Sequence, residues 1–207
     1  MELEKGMLIW FTGVAASGKT TVGRALEKAL KERGIKVENL DADEIRANLS
    51  PDLGYTPKDR DLNTKRLAYM GKLLSRNGVS AIVAAVSPLR EYRDRARGMV
   101  DHFVEVYVKC SLEVCRQRDP KGLYKRADRG EINDIAGLHQ PYEEPDKPEV
   151  LLETDKLSVE DAVKKILLTM EALKYIPKSD AKGGGKPYTE EEEEKVKERL
   201  RGLGYIE

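Results

Sequence analysis

The chain has 207 residues, a length that suits one α/β domain with a full core and a short appendage. Its 37 basic residues equal its 37 acidic residues, which argues against a general nucleic-acid-binding protein. No stretch approaches the roughly 18 consecutive apolar residues of a membrane span, and the charged first residues do not form a signal peptide pattern. Cys110 and Cys115 are typical of free thiols in a reducing compartment, so we expect a cytoplasmic protein without a zinc site.

The first predicted unit is a strand, a glycine-rich turn and a helix. The apolar run 7–11 predicts a buried strand, and apolar residues at helical spacing follow as far as Arg33. Between them GVAASGKT, residues 13–20, matches G-x-x-x-x-G-K-[ST], a loop whose N–H groups converge on phosphate oxygens. Lys19 can reach the β- and γ-phosphates, and Thr20 can bind Mg2+. The predicted ATP-binding residues are Gly13, Ala15, Ala16, Ser17, Gly18, Lys19, Thr20 and Thr21.

The second predicted unit places two acids at the end of a strand. Residues 35–40 alternate and lead into Asp41 and Asp43, and a short helix is predicted for 44–49. Asp43 can orient or deprotonate an acceptor hydroxyl or hold a metal-bound water, and Asp41 can hold such a water. Either acid can instead cap the following helix. The candidate metal ligands are Thr20 and Asp41.

The remaining elements alternate between helices and strands. The sequence predicts helices at 59–77, 92–100, 112–118 and from Ser158 onward, and strands at 79–86, 103–109 and 150–153. Alternation of this kind predicts a parallel, doubly wound sheet within a domain of residues 1–176. At the carboxyl ends of its strands we expect the phosphate loop, the two acids and Ser87-Pro88 to meet.

Two segments depart from this alternation. Residues 119–148 carry four prolines and no apolar run, which is typical of an active-site lid or binding loop. Residues 177–188 are rich in glycine and predict a flexible linker before a charged helix within 189–207, which Thr189 and Glu192 begin with a capping box. We favour a solvated helix here, although Val196, Leu200 and Leu203 on one face could dock on the domain or on a second subunit.

Several motifs together resemble those of adenylylsulfate kinases. LDADEIR at 40–46 is similar to the family's L-D-G-D-x-x-R, and GYTPKDRDLNTKR at 54–66 resembles G-F-S-x-x-D-R-x-x-N-x-R-R. VSPLR at 86–90 is similar to I-S-P-F-R, and CRQRDPKGLY at 115–124 resembles the start of the family's lid. With the phosphate loop, the resemblance covers about residues 5–175.

This resemblance implies a three-layer P-loop NTPase fold of the α/β class, with a parallel sheet, helices on both faces and a lid. It also implies that the protein uses ATP and Mg2+ to phosphorylate the 3′-hydroxyl of adenosine 5′-phosphosulfate, giving 3′-phosphoadenosine 5′-phosphosulfate and ADP. The acceptor contacts that it implies are Asp43, Arg46, Tyr55, Arg60, Asn63, Val86, Ser87, Lys121 and Ile135. Tyr55 would stack on the adenine, and Lys121 would reach the acceptor from the lid.

The candidate catalytic residues are Lys19, Asp43 and Ser87. The family's serine at the position of Ser87 is described as a phosphoserine intermediate. Because no base lies beside Ser87 in the sequence and in-line transfer needs no covalent step, we interpret it as an acceptor or phosphate contact. A purely structural capping role is the alternative.

The lid contains one departure from the family pattern. The family has K-N-F-T-G-I-D where this chain has NDIAGLH at 133–139. Ile135 therefore replaces an aromatic residue that would stack on the base, and Asn133 replaces a lysine. An aliphatic side chain can still cover a base, so we expect weaker acceptor binding than in a family member with Phe and Lys.

Three other functions stay open. The protein could be a kinase of the same fold that acts on a different nucleotide or small-molecule hydroxyl. A nucleotide-dependent switch would carry [NT]-K-x-D after a strand, whereas the nearest string, at 63–66, lacks the Asp and lies in a predicted helix. A non-catalytic subunit that docks through its tail is disfavoured by the intact Lys19, Thr20 and Asp43. A homodimer is compatible with the sequence.

Overall fold

One parallel sheet forms the centre of the computed structural model, which describes residues 4–178 and 188–207. Its strands in chain order are β1 (Leu8–Thr12), β2 (Val37–Asp41), β3 (Ser80–Ala84), β4 (Phe103–Lys109) and β5 (Val150–Glu153). The spatial order is β2-β3-β1-β4-β5, and every neighbouring pair is parallel. The carboxyl ends of all five strands therefore lie at the same edge, as the sequence predicted.

Helices connect the strands and cover the sheet. They are α1 (Lys19–Glu32), α2 (Ala42–Leu49), α3 (Pro57–Ser75), α4 (Arg90–Arg97), α5 (Leu112–Arg118), α6 (Leu123–Asp128), α7 (Val159–Ala172) and α8 (Glu190–Leu203). None of the helices in the described ranges has the length and apolar character needed to cross a bilayer.

The central strand β1 is buried on both faces because each face packs on a different pair of helices. Ile9 and Phe11 belong to the cluster that contains apolar residues of α1 and α7. Leu8 and Trp10 belong to the opposite cluster, with residues of α3 and α4. The alternation along one strand thus builds two cores, and the predicted three-layer arrangement is confirmed.

The segment 119–148 has more internal structure than its composition indicated. It contains α6, and the carboxylate of Asp119 accepts hydrogen bonds from the backbone N–H groups of Tyr124 and Lys125. Tyr124 and Ile135 are buried in a small apolar cluster with Cys115. A few separated apolar residues are therefore enough to give this segment a core of its own.

The C-terminal helix α8 is not solvated all round, so the favoured expectation for it was wrong. Val196 and Leu200 are 8% and 0% exposed and belong to the same cluster as the apolar face of α7. The expected capping box between Thr189 and Glu192 is present. Most of the predicted linker, residues 179–187, lies outside the described residues. The helix docks because its short apolar stripe meets the wide apolar face of α7.

Candidate active site

The phosphate loop is held open by an unusual backbone between β1 and α1. Gly13, Ala16 and Gly18 all have positive φ angles, of 152°, 59° and 105°. A Cβ atom on Gly13 would lie 2.4 Å from the carbonyl oxygen of Val108, so the close approach to β4 requires glycine. Helix α1 begins directly at Lys19, and its free N–H groups face the loop. This arrangement suits a bound phosphate chain.

Lys19 is buried against its own loop. Its Nζ atom donates hydrogen bonds to the carbonyl oxygens of Gly13, at 2.9 Å, and Val14, at 2.7 Å, and lies 3.4 Å from Ser17 Oγ. Burial lowers the pKa of the Lys19 ammonium group to about 8. Neutral oxygens compensate a buried charge only in part, so an anionic phosphate would be a better partner for this ammonium group.

The two acids after β2 have different surroundings. Asp41 caps α2, because its carboxylate accepts the backbone N–H of Asp43 at 2.9 Å. The side chain of Asp43 is 63% exposed and pairs with Lys121 of the lid. The structure thus separates a capping acid from an acid that is available at the surface of the site, a distinction that the sequence left open.

Two arginines flank the ring of Tyr55. The guanidinium carbon atoms of Arg46 and Arg60 lie 4.6 Å and 5.4 Å from the centroid of the Tyr55 ring. Arg46 donates to the carbonyl oxygen of Gly54, and Arg60 donates to that of Asp134 in the lid. The loop after α2, helix α3 and the lid therefore meet at one cationic, aromatic surface, which we call the arginine–tyrosine surface (Arg46, Tyr55 and Arg60).

Asn63 lies in α3 close to Arg60 in the sequence, but it is 4% exposed. Its Oδ1 atom is buried and has no hydrogen-bond partner among the described residues. An unpaired buried acceptor of this kind costs about 1–3 kcal/mol. A buried amide that the fold does not satisfy is a candidate ligand contact.

Ser87 lies in a strained turn directly after β3. Its φ angle is 43°, in the left-handed region that side chains other than glycine seldom adopt. The Oγ atom accepts the indole N–H of Trp10 at 3.0 Å, and the carbonyl oxygen accepts from Arg93 at 2.6 Å. The preceding carbonyl, of Val86, accepts from Thr12. The turn is therefore fixed from three sides.

The lid lies against the phosphate loop. Ile135 is 5% exposed and packs in the cluster that contains the apolar side chains of Val14, Ala15 and Ala16. The hydroxyl of Tyr124 donates to the carbonyl oxygen of Ala15 at 3.0 Å. In this arrangement Ile135 covers the loop, whereas the sequence assigned it to the acceptor base.

The structure adds functional candidates that the sequence did not indicate. Thr154, directly after β5, donates to the carbonyl oxygen of Ser17 at 2.6 Å and so supports the phosphate loop from the end of that strand. Arg93 is 2% exposed, although the charged string 93–97 is indistinguishable from a solvated helix face by composition. Arg90, the first residue of α4, pairs with Asp146 of the lid. These contacts are long-range and leave no local signal.

A family model described as Adenylylsulphate kinase matches residues 5–153, which is most of the chain. The chain belongs to this family. It is 46% identical over 175 residues to the adenylyl-sulfate kinase of Rippkaea orientalis, across 84% of this chain and 97% of that protein. It is also 44% identical to the probable bifunctional SAT/APS kinase 2 of Sorangium cellulosum, where the match covers 85% of this chain but 30% of the relative.

A solved adenylylsulphate kinase has the same fold. The structure of the Mycobacterium tuberculosis APS kinase CysC in complex with AMPPNP and APS has a TM-score of 0.79 and 36% identity, covering 82% of this chain and 99% of that one. The part of our chain that the adenylylsulphate kinase model matches includes the phosphate loop, the arginine–tyrosine surface and the lid. Helices α7 and α8 lie beyond it.

Proposed function

We propose that the protein transfers the γ-phosphoryl group of ATP to the 3′-hydroxyl of adenosine 5′-phosphosulfate. The observation that carries the proposal is that the phosphate loop, Asp43 and the arginine–tyrosine surface all contact one lid. A kinase needs these two sets of groups at a distance that allows direct transfer. Family membership and a relative solved with both a nucleotide and APS support the choice of substrates.

In the nucleotide half, the loop residues 13–18 and the first turn of α1 bind the phosphate chain. Lys19 exchanges its carbonyl partners for β- and γ-phosphate oxygens and compensates the charge that develops on the transferred group. Thr20 and Thr21 occupy the first turn of α1, where hydroxyl and N–H groups can meet the phosphates.

The donor set at this edge fits Mg2+. Mg2+ prefers hard oxygen ligands and retains several waters, and it is bound through few protein groups in phosphotransferase sites. Thr20 would supply its hydroxyl directly, and Asp41 or Asp43 would hold a metal-bound water. One oxygen of Asp41 accepts the N–H of Asp43, and one oxygen of Asp43 pairs with Lys121, so each carboxylate keeps one oxygen for such a water. The ion would neutralise charge on the β- and γ-phosphates.

In the acceptor half, we assign Asp43 to the acceptor hydroxyl, as the group that orients it or accepts its proton. Lys121, which pairs with Asp43 here, would turn to the anionic part of the acceptor when it binds. Arg46 and Arg60 provide positive charge beside the exposed ring of Tyr55, a combination that suits a base attached to an anion. Asn63 would pair its orphaned Oδ1 with a donor on the acceptor.

Ser87 is assigned to positioning and contact, with Val86, and not to a phosphoserine intermediate. Ser87 is 3% exposed, and its hydroxyl accepts a hydrogen bond from Trp10, whose indole N–H cannot remove a proton. A nucleophilic serine needs a neighbouring base, whereas the Trp10 indole beside this hydroxyl is a hydrogen-bond donor. The strained turn therefore serves to place Val86 and Ser87 at the acceptor.

The second candidate is a kinase of the same fold that acts on a different hydroxyl. One observation favours it: Ile135 packs on the phosphate loop and not on an open acceptor surface. An acceptor that lacks a nucleobase would not need two aromatic side chains to stack on it. We also infer a cytoplasmic location from the two free thiols, and a homodimer stays a prediction.

A coupled assay of ADP release tests the proposed function. We expect ADP release that depends on adenosine 5′-phosphosulfate. NMR of the product should place the new phosphate on the 3′ position. The control is Lys28→Ala, which removes an exposed lysine of α1 and should be as active as the wild type. Turnover with another nucleotide or a sugar, and none with millimolar adenosine 5′-phosphosulfate, would replace this function with the second candidate.

A further inference from the structure

A chain of buried charged groups runs from the turn of Ser87 toward the C-terminal helix. Arg93 donates to the carbonyl oxygens of Ser87, at 2.6 Å, and Glu143, at 2.8 Å, and its Nε donates to Glu105 at 2.8 Å. Arg93 and Glu105 are 2% and 6% exposed. Through Arg93, the acceptor turn and the last part of the lid are fixed to the same point of β4.

The chain continues through Glu149, which stands directly before β5. Its carboxylate accepts both terminal nitrogens of Arg97, at 2.5 Å and 2.9 Å, and the backbone N–H of Glu105 at 2.7 Å. Glu149 is 2% exposed. Burial acts to lower the pKa of Arg97, but the hydrogen bond from Arg97 to the Glu149 carboxylate raises that pKa above its usual value. Burial raises the pKa of Glu105. Charges in such surroundings tolerate little displacement, because a shifted partner leaves a buried charge uncompensated.

The far end of this chain is held by α8 and the residues after it. Arg199 donates to the carbonyl oxygen of Pro148 at 3.0 Å, and the hydroxyl of Tyr205 donates to that of Lys147 at 2.8 Å. The guanidinium group of Arg97 lies 5.8 Å from the centroid of the Tyr205 ring. The C-terminal residues thus fix the segment 147–149, where the lid returns to the sheet.

We propose that the C-terminal helix is a positioning element for the acceptor half: Arg199 and Tyr205 hold the segment 147–149, and the charged chain carries this constraint to the turn of Ser87. The helix lies outside the part of the chain that the family model matches, and Arg199 and Tyr205 bind the segment 147–149, which contains none of the predicted nucleotide-binding residues. Loss of its two contacts should therefore affect the acceptor and leave ATP binding unchanged. The kinetic part of this inference rests on the proposed function.

The variants that test it are Arg199→Met and Tyr205→Phe, singly and together. The matched control is Arg201→Met, because Arg201 belongs to the same helix but pairs with Glu194 at the surface. Arg199→Lys keeps a donor and should recover part of the loss. For the double variant we expect the KM for adenosine 5′-phosphosulfate to rise about threefold to tenfold while the KM for ATP stays constant. A purely structural role would lower the amount of active enzyme without moving one KM alone.

Hydrogen exchange supplies a readout that does not depend on activity. In the wild type, the N–H of Glu143 is bonded to the carbonyl oxygen of Pro88, and that of Glu105 to Glu149. Exchange in peptides that span 86–93 and 143–149 should become faster in the double variant and stay unchanged in Arg201→Met. Unchanged exchange at 86–93 overturns the inference, and so does an unchanged acceptor KM in an active enzyme. If the wild type does not phosphorylate adenosine 5′-phosphosulfate, the proposed function fails. The exchange rate at 86–93 then decides by itself whether the C-terminal helix positions the turn of Ser87.

Discussion

The nucleotide half and the acceptor half that we propose for this site are built in opposite ways. The nucleotide half comes from consecutive residues, 13–21, and its geometry is set by local backbone angles and the start of one helix. The acceptor half is assembled from α2, α3, the turn after β3 and the lid, and long-range contacts of charged side chains hold it together. A compact motif can keep one chemical task constant, whereas a dispersed site can be altered one segment at a time.

The largest effect should follow from the nucleotide half. Lys19→Ala should lower kcat by about 1,000-fold or more, because charge compensation at the transferred group is lost. The circular dichroism spectrum should stay that of the wild type. Lys28→Ala, on the exposed side of the same helix, is the matched control. Retention of more than about a tenth of the activity would remove Lys19 from the mechanism.

The acceptor acid should come next. Asp43→Asn should reduce kcat by about 100-fold, because an amide can no longer accept the hydroxyl proton. The KM for ATP should change little. Glu44→Gln, an exposed acid at the next position, should behave as the wild type. A defect confined to ATP affinity would instead assign Asp43 to the nucleotide half. The nucleotide half would then not be limited to consecutive residues.

Asn63→Leu should separate function from stability in the acceptor half. The KM for adenosine 5′-phosphosulfate should rise about tenfold, because the acceptor loses one hydrogen bond in a buried site. The melting temperature of the free enzyme should be unchanged or higher, since the substitution removes the Oδ1 atom, a buried hydrogen-bond acceptor without a partner. Asn77→Leu, in the exposed turn that follows α3, is a control for the kinetics. A lower melting temperature with a normal KM would make Asn63 a structural residue.

The smallest effect concerns the protonation of Lys19. Burial gives its ammonium group a pKa of about 8 in the free enzyme, and an adjacent phosphate should raise that pKa. On binding of a non-hydrolysable ATP analogue, Lys19 should therefore contribute an uptake of about half a proton at pH 8 and none at pH 6, where it is already charged; this contribution is the difference between the wild type and Lys19→Met. Calorimetry in buffers of different ionisation enthalpy measures this uptake. Equal or greater uptake by Lys19→Met would contradict the assignment.

The same division explains what the sequence could predict. The phosphate loop, the helix that follows it and the capping box of α8 depend on neighbours in the chain, so local patterns were sufficient. The docking of α8, the burial of Arg93 and the position of Ile135 depend on partners from other elements of the fold, as in the hydrogen bond from Arg93 to the carbonyl oxygen of Glu143, 50 positions apart. A charged string has the same composition whether it faces water or a buried carboxylate.

The central claim is that the two halves meet directly, so that the phosphoryl group passes from ATP to the acceptor without resting on Ser87. ATP made chiral at its γ-phosphorus with sulfur and oxygen isotopes tests this, because each in-line displacement inverts the configuration. We expect the phosphorothioate product to show inverted configuration at phosphorus. Retention would require two displacements, and it would place a phosphorylated enzyme group, with Ser87 the first candidate, between the nucleotide half and the acceptor half.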